Sequence, residues 1–334
     1  DINKGIPIET YTINFDGKQG QDYLFARGLS ESIKSDHNEF KFTSSDQLEA
    51  LDNLIPYMDE PMSDSAIVPT YMLSAKAREN GIKVLLSGAG GDEIFGGYPR
   101  HFPTKRFSSS WFANLPYPLR KVSSLLLGLY NPALIERINN PSRNFVVNIS
   151  GTSFPFISDI LKSKTKYNNL LNRIDCDFDK AGNKNAYPLM FMDLKNYLPN
   201  NVLALTDKAS MAASVEARVP LLDHRIVEFA FSLPERINIL RGREKGLFCE
   251  SLKDKLPEKL LNRKKEGFNA PVHHWVESWP EIFHDELLGK TSKYINSVID
   301  VKLLEKWLSK KRYRKQTGTS LYALFVLNKW LRNL

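Results

Sequence analysis

The sequence predicts an α/β protein, a doubly wound parallel sheet over residues 1–100 followed by a mainly helical region over residues 101–334. Three observations carry this. Strand-like and helix-like patterns alternate through the first hundred residues as strand, helix, strand, two helices, strand, the rhythm of a parallel sheet with helical crossovers. A short aliphatic run, Ile82–Leu86, leads straight into a glycine-rich turn, and open α/β sheets collect ligands at such carboxyl ends of strands. Beyond Phe102 strand patterns mostly vanish, and prolines at 103, 116, 118, 132, 141 and 155 punctuate short helical stretches.

Residues 7–15 are β-branched and aromatic, with Tyr11, Ile13 and Phe15 on one face at period two, a strand pattern. Asp22–Ile33 sets Leu24, Ala26, Leu29 and Ile33 at helical spacing, and His37–Thr43 returns to a strand. Helices follow over Asp46–Tyr57 and Val68–Asn80, the second closed by Gly81, where a left-handed cap residue is wanted. Ile82–Leu86 is short and wholly aliphatic, which suits a strand buried on both faces of a parallel sheet. Farther on, Asn144–Ile149 is β-like, Tyr187–Ser214 is helix-compatible throughout, and Ser320–Trp330 is an apolar helix expected to pack on the domain.

Composition excludes several classes. With 42% apolar and 25% charged residues over 334 positions, the chain reads as a soluble globular protein able to bury a sizeable core. No apolar run approaches the ~20 residues of a membrane span. Cys176 and Cys249 are far apart and make no disulfide framework, which indicates a reducing, cytoplasmic compartment. The formal charge of +8 is densest over Lys310–Lys315; such a run is more often a solvated helix end than a nucleic-acid site, and the surplus suits an anionic substrate equally well. The tandem His273–His274 has no companion at metal-ligand spacing.

The chemistry concentrates after Leu86, in Ser-Gly-Ala-Gly-Gly-Asp-Glu-Ile-Phe-Gly-Gly-Tyr over residues 87–98. Glycines let backbone approach a phosphate, and Asp92 can hold the magnesium that accompanies it. Neither the Gly-Lys-Ser/Thr of a Walker loop nor a Gly-x-Gly-x-x-Gly spacing is present. Asp64 or Ser65 suits the N-cap of the helix that follows Pro61. Glu216 and Arg218, opposite charges two residues apart in an apolar setting, fit a buried structural ion pair.

Residues 87–98, Thr206–His224 and Leu260–Pro271 resemble, in order, three signatures of the asparagine synthetase family. Its members are ATP pyrophosphatases of the adenine nucleotide alpha hydrolase-like fold, which adenylate a carboxylate and then amidate it. The resemblance implies ATP and Mg2+ as cofactors, and aspartate, ATP and glutamine-derived ammonia as small-molecule substrates. It implies that Asp92 ligates magnesium and that Ser87, Gly88, Gly90, Gly91 and the Ile13 backbone hold the nucleotide. The Asp59-Glu60-Pro61 to Asp64-Ser65 segment would line the acceptor pocket, a role compatible with capping, and Asp207 and Lys208 would lie near the substrate. By register with the family's Arg-x-Lys-x-x-Phe pattern, Lys265 supplies the positive charge an adenylating enzyme needs on its phosphates, with Arg263 and Lys264 in support. Lys208 or Arg100 would meet the spectator carboxylate of aspartate.

Two departures bear on function. The family's Ser-Gly-Gly-x-Asp-Ser loop, expected just before Pro7, is absent, as is the glutaminase domain. The expectation is a fragment of a longer protein, inactive alone, because a missing central strand leaves backbone groups unpaired in the interior; a homodimer is left open. Ala89 stands where many family members carry Glu or Asp. A sugar carboxylate in surface-polysaccharide amidation is therefore the alternative acceptor, and a non-catalytic binding remnant the alternative of another class.

Overall fold

The computed structural model describes residues 7–15, 22–102, 149, 159–163, 186–240, 243–263, 267–268 and 270–334. Cys176, Lys264, Lys265, Glu266, Asn269 and nearly all of Asn144–Ile149 lie outside the described residues.

β1 (Glu9–Phe15) and β2 (Asp36–Phe42) form a parallel ladder in which Glu9 faces Asp36 and Phe15 faces Phe42. Parallel pairing needs a crossover, which is α1 (Asp22–Ile33) as the periodicity predicts. α2 (Ser44–Leu54) starts two residues earlier than its apolar pattern suggests, because Thr43 and Asp46 make a capping box. The Thr43 hydroxyl accepts the Asp46 N–H at 3.2 Å while the Asp46 carboxylate accepts the Thr43 N–H at 2.7 Å, satisfying two otherwise free donors. After a tight turn at Ile55–Tyr57, α3 (Ile67–Glu79) runs to Gly81, whose φ of +84° is the expected left-handed stop.

β3 (Val84–Leu86) pairs in parallel with β4 (Glu216–Arg218) and leads to α4 (Gly91–Phe95). Parallel strands with helical connections are thus present, as two separate two-stranded pairs among the described residues. Two expectations are corrected here. β3 is not buried, Leu86 being 74% exposed, since three residues with one ladder partner have little to pack against. The Glu216–Arg218 ion pair does form, at 2.8 Å, but with side chains 55% and 60% exposed; alternate residues of a strand share a face, and here that face is open.

The helix anticipated over Tyr187–Ser214 has three segments: α5 (Ala186–Met192), a π-helix (Asp193–Leu203) and α6 (Ala204–Ala212). Pro199 lies inside the π segment, where a residue without an N–H would break α-helical bonding. α7 (His224–Ser232) is capped by Asp223, whose carboxylate accepts the Arg225 N–H at 2.9 Å, and α8 (Gly246–Ser251) follows. The remaining principal helices are α9 (Val272–Ser278), α10 (Pro280–Leu288), α11 (Val301–Ser309) and α12 (Lys311–Leu331). The basic run opens α12, and Lys310, Lys311, Arg312 and Lys315 are exposed, a solvated helix end.

α12 buries Leu321, Tyr322, Phe325 and Val326 in one core with Leu51, Leu54, Ile67 and Val68 of α2 and α3 and with Trp275 and Phe283 of α9 and α10. The Phe283 and Phe325 rings lie 4.6 Å apart, and the Trp330 indole donates to the Met58 carbonyl at 2.8 Å. Among the described residues no helix is long and apolar enough to cross a membrane. Phe325→Ala is expected to lower unfolding free energy by about 3–5 kcal/mol in denaturant titration, whereas Phe229→Ala, 59% exposed in α7, stays within about 0.5 kcal/mol.

Candidate functional site

A cleft of about 1790 Å³ opens between β1, the carboxyl end of β3 and the segments around Tyr197, Lys245 and Arg263. Of the residues singled out from sequence, Ile13, Asp64, Ser87, Gly88 and Asp92 line it. Gly90, Gly91 and Ser65 sit buried behind the wall, and Asp59, Glu60, Asp207 and Lys208 are outside the described lining.

The turn after β3 has the shape its glycines allow. Gly90 has φ of +87°, and a Cβ there would run into the Leu222 side chain, so only glycine fits without strain. The Ser87 hydroxyl accepts the Ala89 N–H at 3.2 Å and its N–H donates to the Arg218 carbonyl at 2.8 Å, tying the turn to β4. Asp92, in the first turn of α4, forms an ion pair with Lys245 at 3.1 Å. A Cβ on Gly97 would collide with the Asp92 carboxylate and approach Lys245 Cε to 2.7 Å, so that glycine makes room for the pair. Lys245, with φ of +52° at the start of α8, was not legible as a site residue: it is remote from Asp92 in sequence and no periodicity marks it.

Asp64 faces the cleft and braces the turn before α3, whose N-cap is Ala66 and carries no side-chain cap, so neither Asp64 nor Ser65 is the cap expected from sequence. The Asp64 carboxylate accepts the Ala66 N–H at 3.0 Å and the Asn201 amide at 2.6 Å, while the Ser65 hydroxyl donates to the Ala270 carbonyl at 3.3 Å. Arg263 lines the cleft, pairs with Asp22 and lies 5.8 Å from the Phe25 ring. Lys208 pairs with the exposed Asp59.

Arg100 is not available to a ligand. Its guanidinium grips the fully buried Asp193 through two bonds of 2.8 and 2.9 Å and lies 3.7 Å from the centre of the Tyr98 ring and 4.9 Å from that of Tyr197. His101, also fully buried, donates from Nε2 to Asp193 at 2.6 Å, and its Nδ1 has no partner among the described residues. Burial, the largest influence, holds His101 below the usual imidazole range; Asp193 pulls the other way and the Arg100 charge opposes it. One carboxylate already neutralised by one permanent cation leaves no use for a second, so the imidazole is neutral.

Metal chemistry has a limited donor set. Among the described residues no three His, Cys, Asp or Glu side chains converge as a cage. A single carboxylate at a glycine turn is a sufficient protein donor for Mg2+, which keeps waters and takes other ligands from phosphates, though a metal there would compete with Lys245 for Asp92.

The asparagine synthase family model matches residues 3–332. The chain belongs to that family. Relatives within it include "Asparagine synthetase [glutamine-hydrolyzing] 1" of Bacillus subtilis, 25% identical over 89% of this chain and 48% of the relative. "Putative asparagine synthetase [glutamine-hydrolyzing]" of Mycobacterium bovis is 29% identical over 80% of this chain and 42% of the relative. "Asparagine synthetase [glutamine-hydrolyzing]" of Cricetulus griseus is 24% identical over 84% and 37%. The chain spans about half or less of these relatives' length. Family membership supports an α/β fold of the ATP pyrophosphatase type.

The neutral, buried His101 of this family member has a consequence for stability. A native-state pKa below the unfolded value means the unfolded chain binds more protons as pH drops below about 6.5. Stability contributed by His101 is therefore full above that pH and lost on acidification. Melting temperatures at pH 7.5 and 5.5 should fall less for His101→Gln than for the parent.

Proposed function

We propose that this chain is the synthetase part of a glutamine-dependent enzyme that makes asparagine from aspartate. The acceptor carboxylate attacks the α-phosphorus of ATP, forming an acyl-adenylate and releasing pyrophosphate; ammonia then attacks the acyl carbon and AMP departs. What carries the reading is the Asp92–Lys245 pair on a glycine turn at the carboxyl end of β3, the place where open α/β sheets receive nucleotides.

Ser87, Gly88, Gly90, Gly91 and the Ile13 backbone bind the nucleotide, bringing phosphate against a turn with no bulky side chain. Asp92 would hold Mg2+, which neutralises phosphate charge when bound. Lys265 opposes the negative charge gathering on the departing pyrophosphate, and Lys245 adds a second point charge beside Asp92. Asp64, fixed by Asn201, meets the acceptor ammonium; the family signature assigns Asp59, Glu60 and Ser65 to the same pocket, and Asp207 and Lys208 to its mouth. Positioning and electrostatics carry such transfers. The relatives' greater length supports a complete protein that adds the glutaminase domain and the Ser-Gly-Gly-x-Asp-Ser loop, with residues 1–100 contributing the nucleotide-binding α/β part and 101–334 the mainly helical part.

A second reading keeps the machinery and changes the acceptor to a sugar carboxylate. The occupancy of Arg100 by Asp193 favours it, because a spectator carboxylate there has to displace a buried partner.

In the full-length protein, Asp92→Asn and Lys265→Ala should each lower acceptor-dependent exchange of pyrophosphate into ATP by roughly 10²-fold or more, with Arg263→Ala milder. Near-parental exchange in Lys265→Ala would move the charge role to another cation. A panel of aspartate, glutamate and nucleotide-linked uronic acids identifies the acceptor: aspartate should drive exchange, and exchange driven by the uronic acid alone would select the second reading.

A further inference from the structure

α4, which carries Asp92, has only five residues and is bounded by left-handed glycines, Gly90 at φ +87° and Gly96 at φ +65°. A helix this short has no stability of its own, and both ends sit on the most permissive backbone available. The position of Asp92 is therefore set by what grips α4 from outside. One grip is the Asn238 amide, which donates to the Ile94 carbonyl at 2.9 Å. Another is the Tyr98 hydroxyl, which donates at 2.8 Å to the carboxylate of Glu93, the neighbour of Asp92 and itself 1% exposed.

Tyr98 is in turn held by Arg100, whose guanidinium lies 3.7 Å from the ring centre and is locked by two bonds to buried Asp193. Asp193 opens the π-helix, which packs against α4 and also brings Tyr197 onto the same guanidinium. The chain of contacts from Asp193 through Arg100 and Tyr98 to Glu93 is continuous, its two carboxylates fully buried and its middle partly so, and it ends one residue from Asp92.

We propose that Arg100 and Asp193 are positioning residues for the metal and nucleotide site: their buried pair fixes Tyr98 on Glu93 and thereby aims Asp92 into the cleft. The inference rests on the adenylation reading for the role of Asp92. A planar, bidentate guanidinium is needed because only it can grip a carboxylate edge-on and present a flat face to a ring. The arrangement also commits this cation, close to the cleft, to a carboxylate of its own.

The test uses the full-length protein and two variants that keep a cation opposite buried Asp193. Tyr98→Phe keeps the ring on Arg100 and removes the bond to Glu93; Arg100→Lys keeps the charge and loses the fork and the plane. Mn2+ binding in the presence of ATP is followed by electron paramagnetic resonance well below the melting temperature, beside thermal melts of each protein. Both variants should weaken Mn2+ binding by roughly 10- to 100-fold, the range for groups that orient a metal ligand, while remaining folded. A merely structural role would lower the melting temperature and leave the Mn2+ constant of the folded protein at the parental value, and that result overturns the proposal. Should Arg100→Lys not fold, Tyr98→Phe decides alone. Asp92→Asn separates the two readings: parental Mn2+ binding in that variant sinks the adenylation role of Asp92 and this proposal with it, whereas weakened binding in Asp92→Asn with parental binding in Tyr98→Phe sinks the positioning proposal only.

Discussion

The apolar face of α12 is the constraint on which the rest depends. Among the described residues β1–β2 and β3–β4 are two-stranded pairs, and an isolated pair of that size is marginal in water. Their spacing is imposed by helices: α3 packs on β1 and on α6, α6 packs on β4, and α2 and α3 share a core with α9, α10 and the segment of α12 from Leu321 to Val326. Burial of Trp275, Phe283, Tyr322 and Phe325, each under 2% exposed, supplies the apolar area that the short strands do not. The cleft is thus held open from a distance, its walls borne on elements that are each too small to stand alone.

Among the described residues at or near that cleft, Lys208, Lys245, Arg263 and Arg100 each have a carboxylate, and the pairs differ in what an incoming anion would meet. Lys208–Asp59 and Arg263–Asp22 are solvent-exposed, and such pairs contribute about 0–1 kcal/mol, so a phosphate or carboxylate can exchange into them. Arg100–Asp193 is buried with two charge-assisted bonds; removing one partner of such a pair costs about 3–5 kcal/mol, and it does not open for a ligand. Lys245–Asp92 lies between, half-buried at the glycine turn. The surplus of positive charge is thus graded by burial, with exchangeable cations at the cleft and a fixed one behind it.

Much of the first hundred residues was legible because their signals are local. Period-two alternation over residues 7–15, helical spacing over Asp22–Ile33 and a glycine where α3 needs a left-handed residue each depend on neighbours a few positions away. The glycine turn at Ser87–Gly91 was readable for the same reason: its backbone conformation is written in residue types. What misled were inferences about burial. An aliphatic run at Ile82–Leu86 looks like a buried strand, yet Leu86 is 74% exposed, because exposure depends on what packs across the strand and the strand's own residues do not encode that.

The sequence alone determined the family, the parallel strand-and-helix character and the carboxylate at the glycine turn, since motif, periodicity and turn chemistry are properties of contiguous residues. Only the tertiary structure decided which charges meet. That Lys245 faces Asp92, that Arg100 serves Asp193 instead of an acceptor, and that Asn201 fixes Asp64 follow from the packing of segments far apart in the chain. An ion pair needs its partners within a few ångströms of each other, and spacing along a sequence carries no information about that distance once the chain has turned back on itself.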